Sequence, residues 1–220
     1  MQNKSSEAEF ATRRELMVQE QLVSREIQNP KVLAALSAVP RHEFVPESIR
    51  KLAYEDSPLS IGYGQTISQP YIVAFMTEQL ALESTDRILE IGTGSGYQAA
   101  VLSRLVAEVY TIETIERLAQ DAAHRLNRLG FKNVHTRLGD GFHGWPEQAP
   151  FDSIIVTCAS TLIPPPLLDQ LKEGGRMILP IGPQDGTQEL LLLEKHRASI
   201  QLRTVLPVRF VPMITPTPTQ

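Results

Sequence analysis

The sequence predicts a doubly wound α/β fold: a mostly parallel sheet of about seven strands, covered by helices on both faces, with a helical extension at the N-terminus. Three observations predict it. From residue 86 onward, short apolar runs alternate with longer amphipathic ones, which is the rhythm of βα units. One such junction, Ile88-Leu89-Glu90-Ile91-Gly92-Thr93-Gly94-Ser95-Gly96-Tyr97, reads as an apolar strand, a glycine turn and a helix start. Before residue 86, apolar residues recur at helical spacing instead.

The elements follow in order. Residues 1–10 are polar and are expected to fray. From about Thr12 a helix places Leu16, Val23 and Ile27 on one face, and Asn29-Pro30 ends it. Pro30 opens a second helix with Val32, Leu33 and Leu36 inward, and Val39-Pro40-Arg41 closes it. Residues 40–70 hold no sustained period, and such stretches in compact domains are often functional. A helix follows over 71–82. Strands are then predicted at 87–91, 109–113, 134–138, 153–157 and 176–181, with helices at 96–105, 115–129 and 167–171. A turn at Gly174-Gly175 precedes the fifth strand. Two late strands, at 189–194 and 202–210, read as an antiparallel edge hairpin. The whole is one domain over 1–220. Residues 1–12 are a flexible start, 13–82 an extension carrying an active-site segment, 83–213 a cofactor-binding core and 214–220 a tail.

Bulk properties narrow the classes. A chain of 220 residues with 42% apolar content can bury a sizeable core. The net charge of −4 leaves no whole-chain footprint for nucleic acid. No run approaches the roughly 20 apolar residues of a membrane span. Cys158 is the only cysteine, so an internal disulfide and a cysteine-built zinc site are excluded. The opening residues lack the apolar core of a signal peptide, and a cytoplasmic location is expected. The five histidines show no metal spacing, and no metal is expected.

The glycine turn is a nucleotide-type cradle, because a helix start aims free N–H groups at it. It departs from the dinucleotide pattern G-x-G-x-x-G: the third glycine comes one residue early, at Gly96, and Tyr97 takes the fingerprint position. Glu113 ends the second strand, 21 residues after Gly92, where a carboxylate can accept hydrogen bonds from two ribose hydroxyls. Asp140, in Leu138-Gly139-Asp140-Gly141 after the third strand, can accept from an adenine amino group. This E-x-G-x-G-x-G turn, the acidic second strand and the later D-G resemble class I S-adenosylmethionine-dependent methyltransferases. The resemblance implies a Rossmann-like methyltransferase sheet with S-adenosyl-L-methionine as cofactor. A nicotinamide cofactor is the competing nucleotide reading, and glycines serving only a tight turn the structural one.

The region upstream sharpens the resemblance. Ile61-Gly62-Tyr63-Gly64-Gln65-Thr66-Ile67-Ser68-Gln69-Pro70 resembles the G-x-G-Q-T-I-S-x-P segment of protein-L-isoaspartate O-methyltransferases. Val39-Pro40-Arg41 through Phe44-Val45-Pro46, Leu167-Leu168 through Gly174-Gly175-Arg176, and Val208-Arg209-Phe210-Val211-Pro212 resemble three further segments of that family, in its order. The resemblance implies methylation of the free α-carboxylate of L-isoaspartyl residues in damaged proteins and peptides. The ester then cyclises to a succinimide, and hydrolysis returns some normal aspartate. It also implies Ser68 as the active-site residue, and Ile67, Gly92, Thr93, Gly94, Ser95, Glu113, Asp140 and Gly141 as the cofactor-binding set. For Ser68 the structural alternative is an N-cap of the following helix.

Other readings stay beside this one: a class I methyltransferase with another substrate, a non-catalytic S-adenosylmethionine-binding module, and a dinucleotide oxidoreductase disfavoured by Tyr97. Trp145 is expected in partial core, with His143 near the adenine pocket. Thr157-Cys158-Ala159-Ser160 is expected where the fourth strand opens onto the site, with Cys158 a buried, inert thiol. The pairs Arg13-Arg14 and Arg41-His42 are expected to be solvated. The 57–70 segment could hold the substrate backbone by strand-like pairing.

Overall fold

A computed structural model describes residues 2–197 and 199–214. Helix α1 (Gln2–Met17) starts well before the expected position near Thr12. Phe10 anchors it, with its ring stacked on His42 at 4.1 Å. The helix runs on through a wide, π-type turn over Val18–Leu22. That turn shifts the phase of the apolar face. Met17, Val18, Leu22 and Ile27 are therefore buried, whereas Leu16 and Val23, expected inward, are 49% and 44% exposed. Helix α2 (Pro30–Ala38) opens as its sequence suggests, with the Asn29 side chain accepting from the Lys31 and Val32 amides.

The 40–70 stretch is more ordered than its composition implies. It holds two short 3₁₀ turns and a two-stranded hairpin, β1 (Leu59–Gly62) with β2 (Gln65–Ile67). Arg41 and His42 correct the expectation of a solvated pair: both are buried. The Arg41 guanidinium reaches backbone carbonyls inside the protein, and the His42 ring lies between Phe10 and Tyr54. Helix α3 (Pro70–Gln79) then leads into the sheet.

The central strands are β3 (Arg87–Ile91), β4 (Glu108–Glu113), β5 (Val134–Leu138), β6 (Phe151–Val156), β7 (Leu171–Ile181), β8 (Gln188–His196) and β9 (Ser199–Val208). Their spatial order is β5-β4-β3-β6-β7-β8-β9. The first five run parallel, and β8 runs antiparallel to both neighbours, so β8–β9 is the edge hairpin the sequence indicated. Helices α4 (Tyr97–Leu102), α5 (Glu116–Arg128) and α6 (Pro165–Gln170) fill the crossovers. Alternation along each strand splits the core in two. Ile88 and Ile155 face a cluster with Leu36, Met76 and Leu102, while Leu89, Ile91 and Ile154 face one with Leu167 and Met177. Burial on both faces explains why these strands read as continuous apolar runs.

One strand differs from expectation. The Gly174-Gly175 pair does not turn the chain ahead of β7 but lies inside it. Phe151 pairs with Leu171 and Ser153 with Arg176, so the intervening residues bulge out of register. The tail expected over 214–220 lies, apart from Ile214, outside the described residues. Among the described residues, no helix is long and apolar enough to cross a membrane. None of their His, Cys, Asp and Glu side chains form a group able to hold a metal ion.

Candidate active site

Strand order reverses at β3: the chain continues on one side through β4 and β5, then returns to the other side with β6. Ligands bind at the carboxyl edge beside such a switch point. The register sets Gly92 level with Glu113 on one side and Thr157 on the other, with Thr114 and Gly139 one step further along, at the ends of β3, β4, β6 and β5.

The glycine turn is built from this edge. The Gly92 and Thr93 amides donate to the Ile112 carbonyl at 2.9 and 3.2 Å, which extends the β3–β4 ladder by one step. The Thr157 hydroxyl donates between the carbonyls of Ile91 (3.0 Å) and Gly92 (2.7 Å), tying the turn to the β6 side. Gly92 has φ +97°, and a Cβ there would stand 2.6 Å from Thr157 Oγ1. A Cβ on Gly141 would stand 2.4 Å from Ile91 Cγ2. At both positions the main chain lies against a neighbouring side chain with no room for a Cβ, so only glycine fits. The β1–β2 hairpin roofs the turn: Ile61 Cδ1 is 3.4 Å from where a Gly94 Cβ would be.

Glu113 is buried at the end of β4. Its Oε2 accepts from the Gly94 amide at 2.7 Å, and its Oε1 accepts from Thr114 and Ile115 at 2.9 and 3.0 Å. Glu90 lies fully buried in β3, and neither carboxylate oxygen has a hydrogen-bond partner among the described residues. Burial, with the Glu113 charge nearby, pushes its carboxyl up to about 8, so it is neutral at pH 7. Asp140 Oδ1 accepts from the Phe142 amide at 2.9 Å and caps a short turn, an extra role its sequence position did not reveal. His143 is exposed beside it, and Trp145 packs edge-on to Tyr110 in partial core, as expected.

The expected residues group around connected spaces. Ile67, Ser68, Thr93, Gly94 and Ser95 line a narrow gap between the 66–68 segment and the glycine turn. Gly92, Glu113, Gly141 and Cys158 line the adjoining cleft, whose outer wall is 211–214. A third space, of about 280 Å³, opens beyond Ser68 and is bounded by Pro58, Ile72 and 207–211. Ser68 borders both the gap and this larger cleft. Asp140 stands one residue outside these linings. Ser68 does not cap helix α3: Gln69 holds the N-cap position, with no side-chain cap hydrogen bond. Cys158 is partly buried rather than fully buried as expected, and desolvation pushes its thiol up to about 12, so it is protonated at neutral pH.

Thr157 stands where the fourth strand was expected to open onto the site, and it touches all three spaces. Sequence reasoning missed two contributors. The 209–214 run returns to the rim of β6 after β9: the Ala159 amide donates to Val211 at 2.8 Å, and the Met213 amide to Ala159 at 2.7 Å. Gln188, buried in β8, holds that run through the Phe210 amide at 2.8 Å.

Comparison with known proteins agrees with this geometry. The model of the protein-L-isoaspartate(D-aspartate) O-methyltransferase family matches residues 12–217. A protein-L-isoaspartate O-methyltransferase of Opitutus terrae is 57% identical over 199 residues, covering 90% of this chain and 85% of its own length. One from Syntrophobacter fumaroxidans is 59% identical over 186 residues, covering 84% and 75%. A solved protein-L-isoaspartate O-methyltransferase superposes with TM-score 0.84 at 33% identity, over 90% of this chain and 65% of that longer one. A Plasmodium falciparum structure holding S-adenosyl-L-homocysteine shares the fold, with TM-score 0.79 at 24% identity, over 91% of this chain and 98% of that one. The chain thus belongs to the protein-L-isoaspartate O-methyltransferase family of S-adenosylmethionine-dependent enzymes.

Proposed function

We propose that Ser68 donates a hydrogen bond to the substrate carboxylate and orients it, without acting as a nucleophile. The enzyme transfers a methyl group from S-adenosylmethionine to the free carboxylate of L-isoaspartyl residues in damaged proteins. One observation carries the assignment to Ser68: it borders both the gap facing the glycine turn and the 280 Å³ cleft, so its hydroxyl can serve a group shared between them.

The residues present suit the methyl donor. Gly92 and Gly141 line the cleft and have no room for a side chain, so a ligand there meets main chain. Glu113 already accepts three N–H groups, so of about four lone-pair sites one remains for a ribose hydroxyl. Asp140 Oδ2, outside the cap, is left for the adenine amino group. Ile67, Thr93 and Ser95 complete the wall. S-adenosylmethionine, when bound, supplies a methyl on a cationic sulfonium, an intrinsically good leaving group.

The protein has little further chemistry to do. A carboxylate with a pKa near ~4 is ionised at pH 7 and needs no general base. Ser68 fixes the direction of one oxygen, which is a proximity task. The 211–214 run forms the outer wall of the cleft, and a site made drier by such a wall removes hydration from the attacking oxygen. The β1–β2 hairpin pairs only within itself among the described residues, so its outer edges are open to hold a peptide backbone by strand-like pairing. A cytoplasmic setting goes with this reading, since a lone cysteine calls for no oxidising compartment.

The test uses labelled S-adenosylmethionine with paired isoaspartyl and aspartyl peptides, read as base-labile methyl ester. Labelling of the isoaspartyl peptide alone is expected, with turnover falling in Ser68→Ala. Equal labelling of both peptides overturns the substrate assignment, and full turnover in Ser68→Ala overturns the role of Ser68.

A further inference from the structure

Arg41 is the largest side chain with no solvent exposure at all. Its Nε donates to the Ala53 carbonyl at 2.7 Å and its Nη2 to the Ser68 carbonyl at 2.8 Å. Its guanidinium lies over the Tyr97 ring, 4.8 Å from the centroid, and Tyr97 is the first residue of the helix that follows the glycine turn. Nη1 has no partner, and no carboxylate pairs with the charge among the described residues. The neighbouring acid, Glu43, pairs with Arg50 and Arg128 instead.

Such a residue is costly to fold around. A buried cation without an opposite charge loses its hydration and regains only two neutral carbonyls and a ring face. A methionine of similar length would fill the same volume at lower cost. The fork geometry is what a methionine or lysine lacks. One arm holds 53, the other holds 68, and the plane rests on 97. Gln69 adds a second tie between the first two segments, its Nε2 donating to Asp56 Oδ1 at 2.8 Å and to the Asp56 carbonyl at 3.2 Å.

We propose that Arg41 is a positioning residue for the methyl transfer: it clamps the segment carrying Ser68 at a fixed distance from the helix that opens the cofactor cradle. This rests on the orienting role of Ser68 proposed above. The clamp acts on the Ser68 backbone, so it sets where the hydroxyl stands without touching substrate. Misplacement by about 1 Å can cost on the order of 100-fold in rate.

The experiment is a double-mutant cycle with Arg41→Lys, Ser68→Ala and the pair, measuring kcat and KM on an isoaspartyl peptide. S-adenosylhomocysteine affinity, by calorimetry, and amide hydrogen exchange over 65–72 are read alongside. Arg41→Lys should lower kcat about 10- to 100-fold in the parent and less than about 2-fold in the Ser68→Ala background. Amides over 65–72 should exchange faster, with S-adenosylhomocysteine affinity within about 3-fold of the parent. Arg41→Met is the second variant, because an apolar isostere in place of an unpaired charge favours folding; it should show the same loss of kcat and the same faster exchange. Equal fold-losses in both backgrounds, or unchanged exchange over 65–72 in a folded variant, overturn the clamp. Full turnover in Ser68→Ala alone overturns the role of the hydroxyl, and the clamp then stands or falls on the exchange readout.

Discussion

The Gly94 amide donates to Glu113 Oε2 at 2.7 Å, so the acidic end of one strand holds the glycine turn at the end of its neighbour. Glu113 therefore shapes the cradle in the free protein as well as offering an acceptor to a ligand.

Replacing Glu113 by Gln should harm both functions. The amide has one acceptor oxygen, and its NH₂ would face N–H groups that now donate to a carboxylate. A stability loss of about 1–3 kcal/mol is expected. S-adenosylhomocysteine should bind at least about 10-fold more weakly, in line with a lost charge-assisted hydrogen bond. Urea melts and titration calorimetry check the two effects separately.

Gly92→Ala places a Cβ 2.6 Å from Thr157 Oγ1 at a φ of +97°. The backbone conformation alone costs about 1–3 kcal/mol for a residue with a side chain. Adding Thr157→Ala removes the steric conflict but not the strained φ. The double variant should thus be more stable than the sum of the two single losses predicts. Strict additivity in equilibrium melts would show that the two residues do not meet.

Glu90 should make stability fall with rising pH. Its carboxyl titrates near 4.5 in the unfolded chain and at about 8 when buried, so the folded state keeps a proton the unfolded state has lost. This contribution is fully present below pH 4.5 and is lost progressively up to about pH 8, at roughly 1.4 kcal/mol per unit. Glu90→Gln mimics the protonated group and carries no titration. Its Tm should match the parent near pH 4.5 and exceed it at pH 8 by about 5 °C or more. Parallel Tm curves across this range would mean that Glu90 is not buried neutral.

What the sequence made legible, and what it hid, divides by range. The β3 strand, its glycine turn and Glu113 are local patterns of apolar runs, glycines and one acid, and they stand where those patterns put them. Arg41 was misread because charge alone says solvated. Its partners lie 12 and 27 residues away, and only the fold brings them together. Leu16 and Val23 were read as inward because the wide turn at Val18–Leu22 breaks a regular 3.6-residue phase, and no residue type announces it. Thr157 was legible as a rim residue, but its hydroxyl's hold on the glycine turn was not, since its partner carbonyls lie 66 and 65 residues away.

The 207–214 run walls both clefts, although the glycine turn, Glu113 and Ser68 all precede it in the chain. On a ribosome, those earlier groups emerge first, with the cradle still open along one side. The site closes only when the last strand has paired and its continuation has reached the rim of β6. A nascent chain halted before that point therefore presents the glycine turn without its outer wall.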